Sequence, residues 1–407
     1  MSLIDYLVDQ NTWIEYFDYK VHYQHFQDNE IQNLFRFIRN RKYINVIEKI
    51  EKEGFSIPTK KQIHKIDSNK KRIVYTFPEE ENYVLKLLTY LVIRQYDAVF
   101  SKNLYSFRTN YGVRQAFNYI RAVSHIENYY TYKVDISDYF NSINVELLLP
   151  KLRTIFADDV TLYEWIEALL KNPYVLENGL LKKEMKGVMA GCPIAVFLAN
   201  VYLSELDKVF ADERKIYFRY SDDIIFFSKT KEELEDQKNK LLSIVDAYNL
   251  KINPSKQIST VPGESWTFLG LKYDGNQIDV SDIALKKIKA KMRRKTRALI
   301  RWKNLKNKES IFAVKAFINA FNKKFYNNTD EHDMTWARWY FPVITTDKGL
   351  KIIDHYMQEC VRYIATEKHT KSSYNFRYNQ MKDLGYESLV NNWYQYKNTY
   401  CNPIKLL

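Results

Sequence analysis

The chain has 407 residues, of which 46% are hydrophobic and 27% charged, and this composition excludes an intrinsically disordered protein. Its 62 Lys and Arg against 49 Asp and Glu give a net charge of +13, which favours a polyanionic partner, nucleic acid before membrane. Cys192, Cys360 and Cys401 lie at no zinc-ligand spacing, so we expect neither a zinc finger nor a disulfide framework, and a reducing cytoplasm fits.

The N-terminus, MSLIDYLVDQ, has neither a basic segment nor an apolar core, so no signal peptide is expected. Residues 188–203 form the longest apolar run, which is too short for a membrane span and contains Pro193 and Asn200. A buried helix is the favoured interpretation, and we expect no membrane association.

Residues 1–60 have helical periodicity, with Ile31, Leu34, Phe35 and Ile38 at helical spacing. The segment QIHKIDSNKKRIVYTF (62–77) then predicts two strands around a polar turn at 67–70. Pro78 is expected to open the next helix.

The central part predicts alternating strands and helices. Residues 132–136 alternate like a strand, and helices are predicted over 145–171, 193–211 and 232–248. A β-hairpin is predicted over 215–227 with Ser221, Asp222 and Asp223 at its turn. Residues 266–273 are predicted as one further strand, followed by a turn at 274–276.

Residues 286–308 contain many Lys and Arg and no acid, while Leu285, Ile288, Met292 and Leu299 share one face. This pattern predicts an amphipathic helix that contacts a phosphate backbone, which rewards clustered cations through counterion release. The alternative is an ordinary solvated face. The remainder, 310–407, is predicted to be helical and rich in aromatic residues.

Three acids, Asp135, Asp222 and Asp223, lie in strand or hairpin contexts that disfavour charge. A divalent cation is the natural compensator, and two Mg²⁺ ions, with Mn²⁺ as the alternative, can serve an in-line phosphoryl displacement. An Asp-Asp pair in an ordinary turn is common. The apolar and aromatic flanks of 217–228 instead favour a hairpin within a packed sheet.

The segment YSDD (220–223) resembles the Y-x-D-D hairpin of reverse transcriptases, and further segments match that family in order over about residues 65–275. They are Arg72 in the basic hairpin, YSFR (105–108), KVDISDYFNSI (133–143), GVMAGCPIAVFLANVYLSELD (187–207), LKINPSK (250–256) and FLGLKY (268–273).

The resemblance implies an α+β fold of the right-hand polymerase type. In this interpretation residues 1–60 form an N-terminal helical extension. The fingers comprise 61–130 and 145–200, and an antiparallel palm sheet comprises 131–144 and 201–280. Residues 281–407 then form a basic helical thumb and C-terminal helical region.

The resemblance also implies roles for individual residues. Asp135, Asp222 and Asp223 would be the catalytic and metal-binding aspartates, and Arg72 would meet the triphosphate of the incoming nucleotide. Phe140 lies five residues after Asp135, where the family keeps a bulky gate under the sugar 2′ position. By composition alone an ordinary core residue is the favoured interpretation of Phe140, and only its offset from Asp135 indicates the gate.

Two lysines are weaker candidates for contact with the nucleotide. Lys256 and Lys65 lie near family motifs, but solvated lysines are the commoner case. The chain departs from the family at Ala190, where a glutamine is usual, and at Met189, where a proline is common. These departures put the details of nucleotide selection in doubt.

Residues 336–368 and 381–396 look like the standalone bacterial reverse transcriptases of anti-phage defence, and no nuclease-like or RNase H segment follows the basic helix. That likeness implies a noncoding RNA template, dNTP substrates, a cDNA product and homo-oligomerisation as one option. Two alternatives stay open: template-independent or protein-primed DNA synthesis, and a non-catalytic, maturase-like RNA-binding protein.

Overall fold

The computed structural model describes residues 1–23, 29–64, 71–275, 277–326 and 335–400. The chain divides into two compact units, one built essentially from residues up to Glu264 and one from Ser265 onward. Lys65, the turn predicted at 67–70 and Cys401 lie outside the described residues. None of the helices that the structure describes is long and apolar enough to cross a membrane.

The first unit begins with three helices, as the periodicity predicts. They are α1 (Gln10–Tyr23), α2 (Asn29–Arg39) and α3 (Lys42–Glu53). Their core is aromatic: Trp13 stacks on Tyr43 and meets Phe37 edge-on. Phe37 is therefore the buried aromatic residue of α2, whereas Phe35, predicted on its apolar face, is 38% exposed.

The other helices of the first unit include the predicted ones, with the segment 193–211 divided into two helices, and two that the sequence did not predict, Val113–Ala122 and Tyr139–Ser142. They are α4 (Glu79–Gln95), α5 (Val113–Ala122), α6 (Tyr139–Ser142), α7 (Val145–Ile155), α8 (Val160–Lys171), α9 (Ala195–Tyr202), α10 (Ser204–Asp212) and α11 (Lys231–Ala247). The helix predicted over 145–171 is divided in two, because Asp159 begins α8 by accepting a hydrogen bond from the Leu162 amide at 3.0 Å.

The strands of the first unit form two four-stranded sheets. In chain order they are β1 (Thr59–His64), β2 (Lys71–Thr76), β3 (Tyr130–Asp135), β4 (Tyr174–Glu177), β5 (Leu180–Lys183), β6 (Ile216–Tyr220), β7 (Asp223–Ser228) and β8 (Ile258–Thr260). One sheet has the order β2-β1-β4-β5 and the other β6-β7-β3-β8. Both predicted hairpins, β1–β2 and β6–β7, are confirmed as antiparallel pairs.

The second unit is a small sheet followed by helices. Its elements are β9 (Trp266–Phe268), β10 (Leu271–Asp274), β11 (Gln277–Val280), α12 (Asp282–Leu305), α13 (Ser310–Tyr326), α14 (Trp336–Tyr340), α15 (Lys348–Thr366), α16 (Tyr378–Asp383) and α17 (Leu389–Tyr400). The α+β class predicted from the sequence is confirmed, with antiparallel pairing in β6-β7-β3-β8 and in β9-β10-β11.

The single strand predicted over 266–273 is wrong. Leu269 and Gly270 both have positive φ, at 52° and 80°, so the chain reverses there and β9 pairs antiparallel with β10. Two consecutive residues in this conformation form the tight turn that matches the twist of a two-residue hairpin. The apolar pattern continues through the turn, which is why it reads as one strand in the sequence.

We predict that Gly270→Ala lowers the free energy of unfolding by about 1–3 kcal/mol, because a side chain there is strained by its backbone conformation. The added Cβ would also lie 2.6 Å from the Tyr340 hydroxyl oxygen. Thermal and urea unfolding of the two variants measure the effect. Gly275→Ala is the matched control, since Gly275 also has positive φ but no atom within 4 Å of the added Cβ. Equal destabilisation would contradict the contribution of the Tyr340 contact.

Candidate active site

The structure brings the three predicted acids together at one end of the sheet β6-β7-β3-β8. Asp135 ends β3, Asp223 begins β7, and the two are register partners across the antiparallel pair. Asp222 lies in the turn between β6 and β7, and its carbonyl accepts a hydrogen bond from the Ile136 amide at 3.1 Å. Adjacent strands therefore place all three carboxylates at the same edge.

The turn of the hairpin depends on Ser221. Its φ is 58°, a left-handed backbone conformation that residues other than glycine adopt at a cost in free energy. The Ser221 amide donates to the Ser106 hydroxyl at 2.9 Å, and the Ser221 carbonyl accepts from Arg219 Nη1 at 3.2 Å. Its own Oγ is buried and has no hydrogen-bond partner among the described residues. Ser221 thus contributes through its backbone and its small size.

Arg219 and Asp207 form a fully buried ion pair beneath this turn, with both side chains 0% exposed. Arg219 Nε donates to Asp207 Oδ1 at 2.8 Å, and the Tyr217 hydroxyl donates to the same carboxylate at 2.9 Å. Burial alone lowers the pKa of Arg219, but Asp207 outweighs it and the pKa lies above its ordinary value. Arg219 is therefore a permanent cation, and its guanidinium holds the turn through the hydrogen bond to the Ser221 carbonyl.

A second buried contact joins the turn to the segment YSFR. Asn200 on α9 donates to the Ser106 carbonyl at 2.8 Å and accepts from the Ser106 hydroxyl at 3.0 Å. Arg219 Nη2 donates to the Asn200 carbonyl at 3.2 Å. The position of Asp222 is thus fixed by α9, α10, β6 and the segment around Ser106 at once.

Burial and neighbouring negative charge disfavour the ionisation of Asp222 and Asp223. Burial, followed by the charges of Asp223 and Asp135, raises the pKa of Asp222 to about 7. Burial also raises the pKa of Asp223, although the nearby ammonium group of Lys133 works against it. A cation added to this cluster stabilises the ionised forms of all three.

Two lysines already supply part of that positive charge. Lys256 forms an ion pair with Asp135, and Lys133 Nζ lies 3.6 Å from Asp223 Oδ1. Burial by itself lowers the pKa of Lys256, but the hydrogen bond and charge of Asp135 outweigh it and raise the pKa. The structure therefore places Lys256 on a carboxylate of the cluster.

Among the residues that the structure describes, no group of three or more His, Cys, Asp and Glu side chains is arranged to hold a metal ion. The donor chemistry nevertheless fits one: clustered carboxylate oxygens are the ligands that Mg²⁺ prefers. The raised pKa of Asp222 and the lysines on the other two acids both show a demand for positive charge. Asp135, Asp222 and Asp223 are the side chains that would hold the ion.

Phe140 is half-buried on α6 and packs edge-on against Tyr139, with ring centroids 5.8 Å apart. Its carbonyl accepts a hydrogen bond from the Val188 amide at 2.9 Å. A Cβ on Gly187 would lie 2.3 Å from that carbonyl oxygen, so only glycine fits. The segment 187–188 therefore fixes the backbone of the predicted gate.

Asn141 connects that gate to the strand that carries Arg72. Its side chain accepts from the Ala190 amide at 2.9 Å and donates to the Ile73 carbonyl at 3.3 Å. Ala190 in turn accepts a hydrogen bond from the Tyr75 amide at 2.8 Å. Arg72 itself is exposed on β2, and its contact with a triphosphate stays a prediction.

Sequence reasoning assigned no role to the residues that support the turn: Arg219, Asp207, Asn200 and Ser106. Ser106, Asn200 and Asp207 lie within the quoted family segments, and Arg219 is a charged residue within the otherwise apolar strand IYFRY. Such a residue requires a buried partner. The identity of that partner is decided by tertiary contacts between residues far apart in the sequence.

Comparison with known proteins gives the class of this chain. The sequence model described as "Reverse transcriptase (RNA-dependent DNA polymerase)" matches residues 50–273, more than half of the 407 residues. The chain therefore belongs to the reverse transcriptase family, an enzyme family of RNA-dependent DNA polymerases, as its motifs predict. No curated protein matches the chain significantly.

Solved structures with some likeness to the chain include fungal telomerases. Apo telomerase from Candida tropicalis, truncated from the C-terminal domain, is 16% identical with a TM-score of 0.46, and the match covers 56% of this chain and 55% of that one. Telomerase from Candida albicans in complex with a TWJ fragment of telomeric RNA is 13% identical with a TM-score of 0.44, covering 85% and 65%. The chain thus spans little more than half of the first of these.

We predict that Asp207→Asn lowers the free energy of unfolding by about 3–5 kcal/mol, because it leaves Arg219 as a buried charge without its anion. Asp207→Leu/Arg219→Met removes both charges and should recover much of that stability. The double variant should still lose activity, since the Ser221 carbonyl has lost its donor. Urea unfolding and DNA synthesis measure the two effects separately. Full activity in a stable double variant would contradict the positioning role of Arg219.

Proposed function

We propose that the chain is an RNA-directed DNA polymerase that joins a primer 3′-hydroxyl to the α-phosphate of a dNTP. The single observation that carries the proposal is the convergence of Asp135, Asp222 and Asp223 at one sheet edge within the matched family region. The turn that bears Asp222 is held in position by buried hydrogen bonds that join Ser221 to Arg219 and to Ser106.

In the proposed reaction the three carboxylates would hold divalent metal, which when bound would supply Lewis-acid stabilisation of the attacking and leaving oxygens. Two Mg²⁺ ions, with Mn²⁺ as the alternative, match this donor set. Lys256 and Lys133 form ion pairs with Asp135 and Asp223 and so supply positive charge to the cluster. Arg72 neutralises triphosphate charge, and Lys256, once released from Asp135, is free to reach the leaving pyrophosphate. Lys65 keeps its proposed role in nucleotide binding.

Selection of the sugar is assigned to Phe140. Phe140 comes shortly after the strand that ends at Asp135. Its carbonyl accepts a hydrogen bond from the Val188 amide and packs closely against Gly187. An aromatic ring beside the sugar leaves no room for a 2′-hydroxyl. Ala190 cannot provide the side-chain amide contact of the usual glutamine, and its part in the site is limited to the backbone hydrogen bonds that join it to Asn141 and β2.

We propose a noncoding RNA as the template, a cDNA product and a role in anti-phage defence, in a reducing cytoplasm. The support is the resemblance of the C-terminal segment to defence-associated enzymes and the net charge of +13. Sequencing the nucleic acids that co-purify with the protein tests this. A single abundant RNA with complementary DNA is expected, and a random mixture of cellular RNA would contradict a dedicated template.

We predict that Asp222→Asn/Asp223→Asn reduces dNTP incorporation on an RNA template by a factor of about 10³ or more, because the charge that would hold the metal is removed. Primer extension with Mg²⁺ measures it. Asp212→Asn, at an exposed acid that ends α10, is the control and should retain activity. Equal activity of all three proteins would refute the polymerase proposal, and synthesis that needs no RNA would favour the template-independent alternative.

We predict that Phe140→Ala lowers the discrimination between dNTP and rNTP by about 10- to 200-fold, the range for a change of pocket size. The ratio of kcat/KM for dGTP and GTP on one template measures it. Phe140→Tyr keeps the ring and should keep the discrimination. An unchanged ratio in Phe140→Ala would leave Phe140 as a packing residue only.

A further inference from the structure

The second unit contains a cavity of about 520 Å³ between α12, α15 and the segment that follows α15. We call it the basic cavity and define it by the lining residues Arg293, Arg297, Arg362, Lys368, Lys371 and Tyr374. Its volume lies within the range of small-molecule sites in proteins. None of these residues takes part in the chemical step proposed above, although Arg293 and Arg297 belong to the segment 286–308 that the sequence predicts to contact a phosphate backbone.

The lining of this cavity has a large excess of positive charge. The lining contains five Arg and Lys side chains and one carboxylate, that of Glu359, so its formal charge is +4 with histidine neutral. Glu359 is itself within 3.5 Å of His355. Among the described residues, none of the five cations has a carboxylate within ion-pair distance. An anion is the ligand that such a lining favours.

Arg362 gives a second and independent indication of a ligand. Its Nε is buried and has no hydrogen-bond partner within the described part of the chain. Its guanidinium lies over the ring of Tyr374, 4.7 Å from the centroid. A buried donor without an acceptor costs free energy, and an oxyanion in the cavity removes that cost.

Aromatic rings lie beside these cations. Tyr363 and His369 are stacked with centroids 4.0 Å apart, and Tyr374 is 57% exposed. Exposed rings next to arginine are the usual surfaces on which unpaired bases stack. Cys360 also lines the cavity, and burial raises the pKa of its thiol to about 11, so this side chain adds no negative charge near neutral pH.

We propose that the basic cavity binds one nucleotide, with its phosphate at the arginines of α12 and α15 and its base on the exposed ring of Tyr374. The nucleotide comes from single-stranded nucleic acid or from the free pool, since both present the same phosphate and base. The proposal rests on the proposed function for its choice of ligand. Its test measures binding rather than synthesis, so the two fail separately.

The experiment measures the Kd of fluorescein-labelled oligodeoxythymidine for the full chain by fluorescence polarisation, without dNTPs or divalent metal. Arg293→Gln/Arg297→Gln should weaken binding about tenfold or more, as expected for loss of hydrogen bonds to a charged group. Arg294→Gln/Arg301→Gln is the matched control. It removes the same charge from exposed positions of α12 that do not line the cavity. Because both pairs lie in the basic segment 286–308, any contact of that segment with a phosphate backbone weakens in both, and the cavity pair should weaken binding at least about threefold more than the control.

A second pair of variants tests recognition of the base. Tyr374→Ala should weaken binding at least about fivefold, the lower end for one stacked base, whereas Tyr374→Phe should bind like the original chain. Displacement of the label by thymidine monophosphate, lost in the cavity variant, would identify a free nucleotide as a ligand. Displacement by unlabelled oligonucleotide alone would identify a strand.

Three outcomes would overturn the proposal. Equal weakening by the two arginine pairs would mean that only the total charge matters. No effect of Tyr374→Ala would remove the base from the interaction. Competition by oligoglutamate as strong as that by oligonucleotide would assign the cavity to an acidic peptide. Circular dichroism of every variant verifies that the comparison is between folded proteins.

Discussion

The buried ion pair between Arg219 and Asp207 is the interaction on which the candidate active site depends. Removing two charges from water is costly, and a pair of hydrophobic residues of equal volume stabilises a fold as well or better. The pair does something that apolar residues cannot do. Arg219 donates to the carbonyls of Ser221 and Asn200 as well as to Asp207, so it links β6, α9, α10 and the turn. The unusual backbone of Ser221 is held in this way.

Holding the turn in this way brings three carboxylates close together at one sheet edge, and their negative charges repel one another. Burial makes Asp222 and Asp223 harder to ionise. Lys256 and Lys133 lie on Asp135 and Asp223, whereas the pKa of Asp222 is raised to about 7. This set of donors fits a divalent cation, which would add positive charge beyond that of the two lysines.

A second set of hydrogen bonds joins the backbone around Phe140 to the strand β2. Asn141 joins the backbone of β2 to the segment around Ala190, and Val188 joins that segment to Phe140. Gly187 lies so close to the Phe140 carbonyl that no side chain fits between them. Arg72 and Phe140, far apart in the sequence, are thus placed on one connected backbone frame.

The sequence by itself determined the family, the α+β class, the hairpin β6–β7 and the three acids, because motif spacing and apolar alternation are local properties. It did not reveal the turn at Leu269 and Gly270, since an apolar pattern continues unchanged through a reversal of the chain. Nor could it pair Arg219 with Asp207 or place Lys256 on Asp135. Which charges meet is decided by the packing of elements that are distant in the chain. Burial then sets how strongly they act on one another.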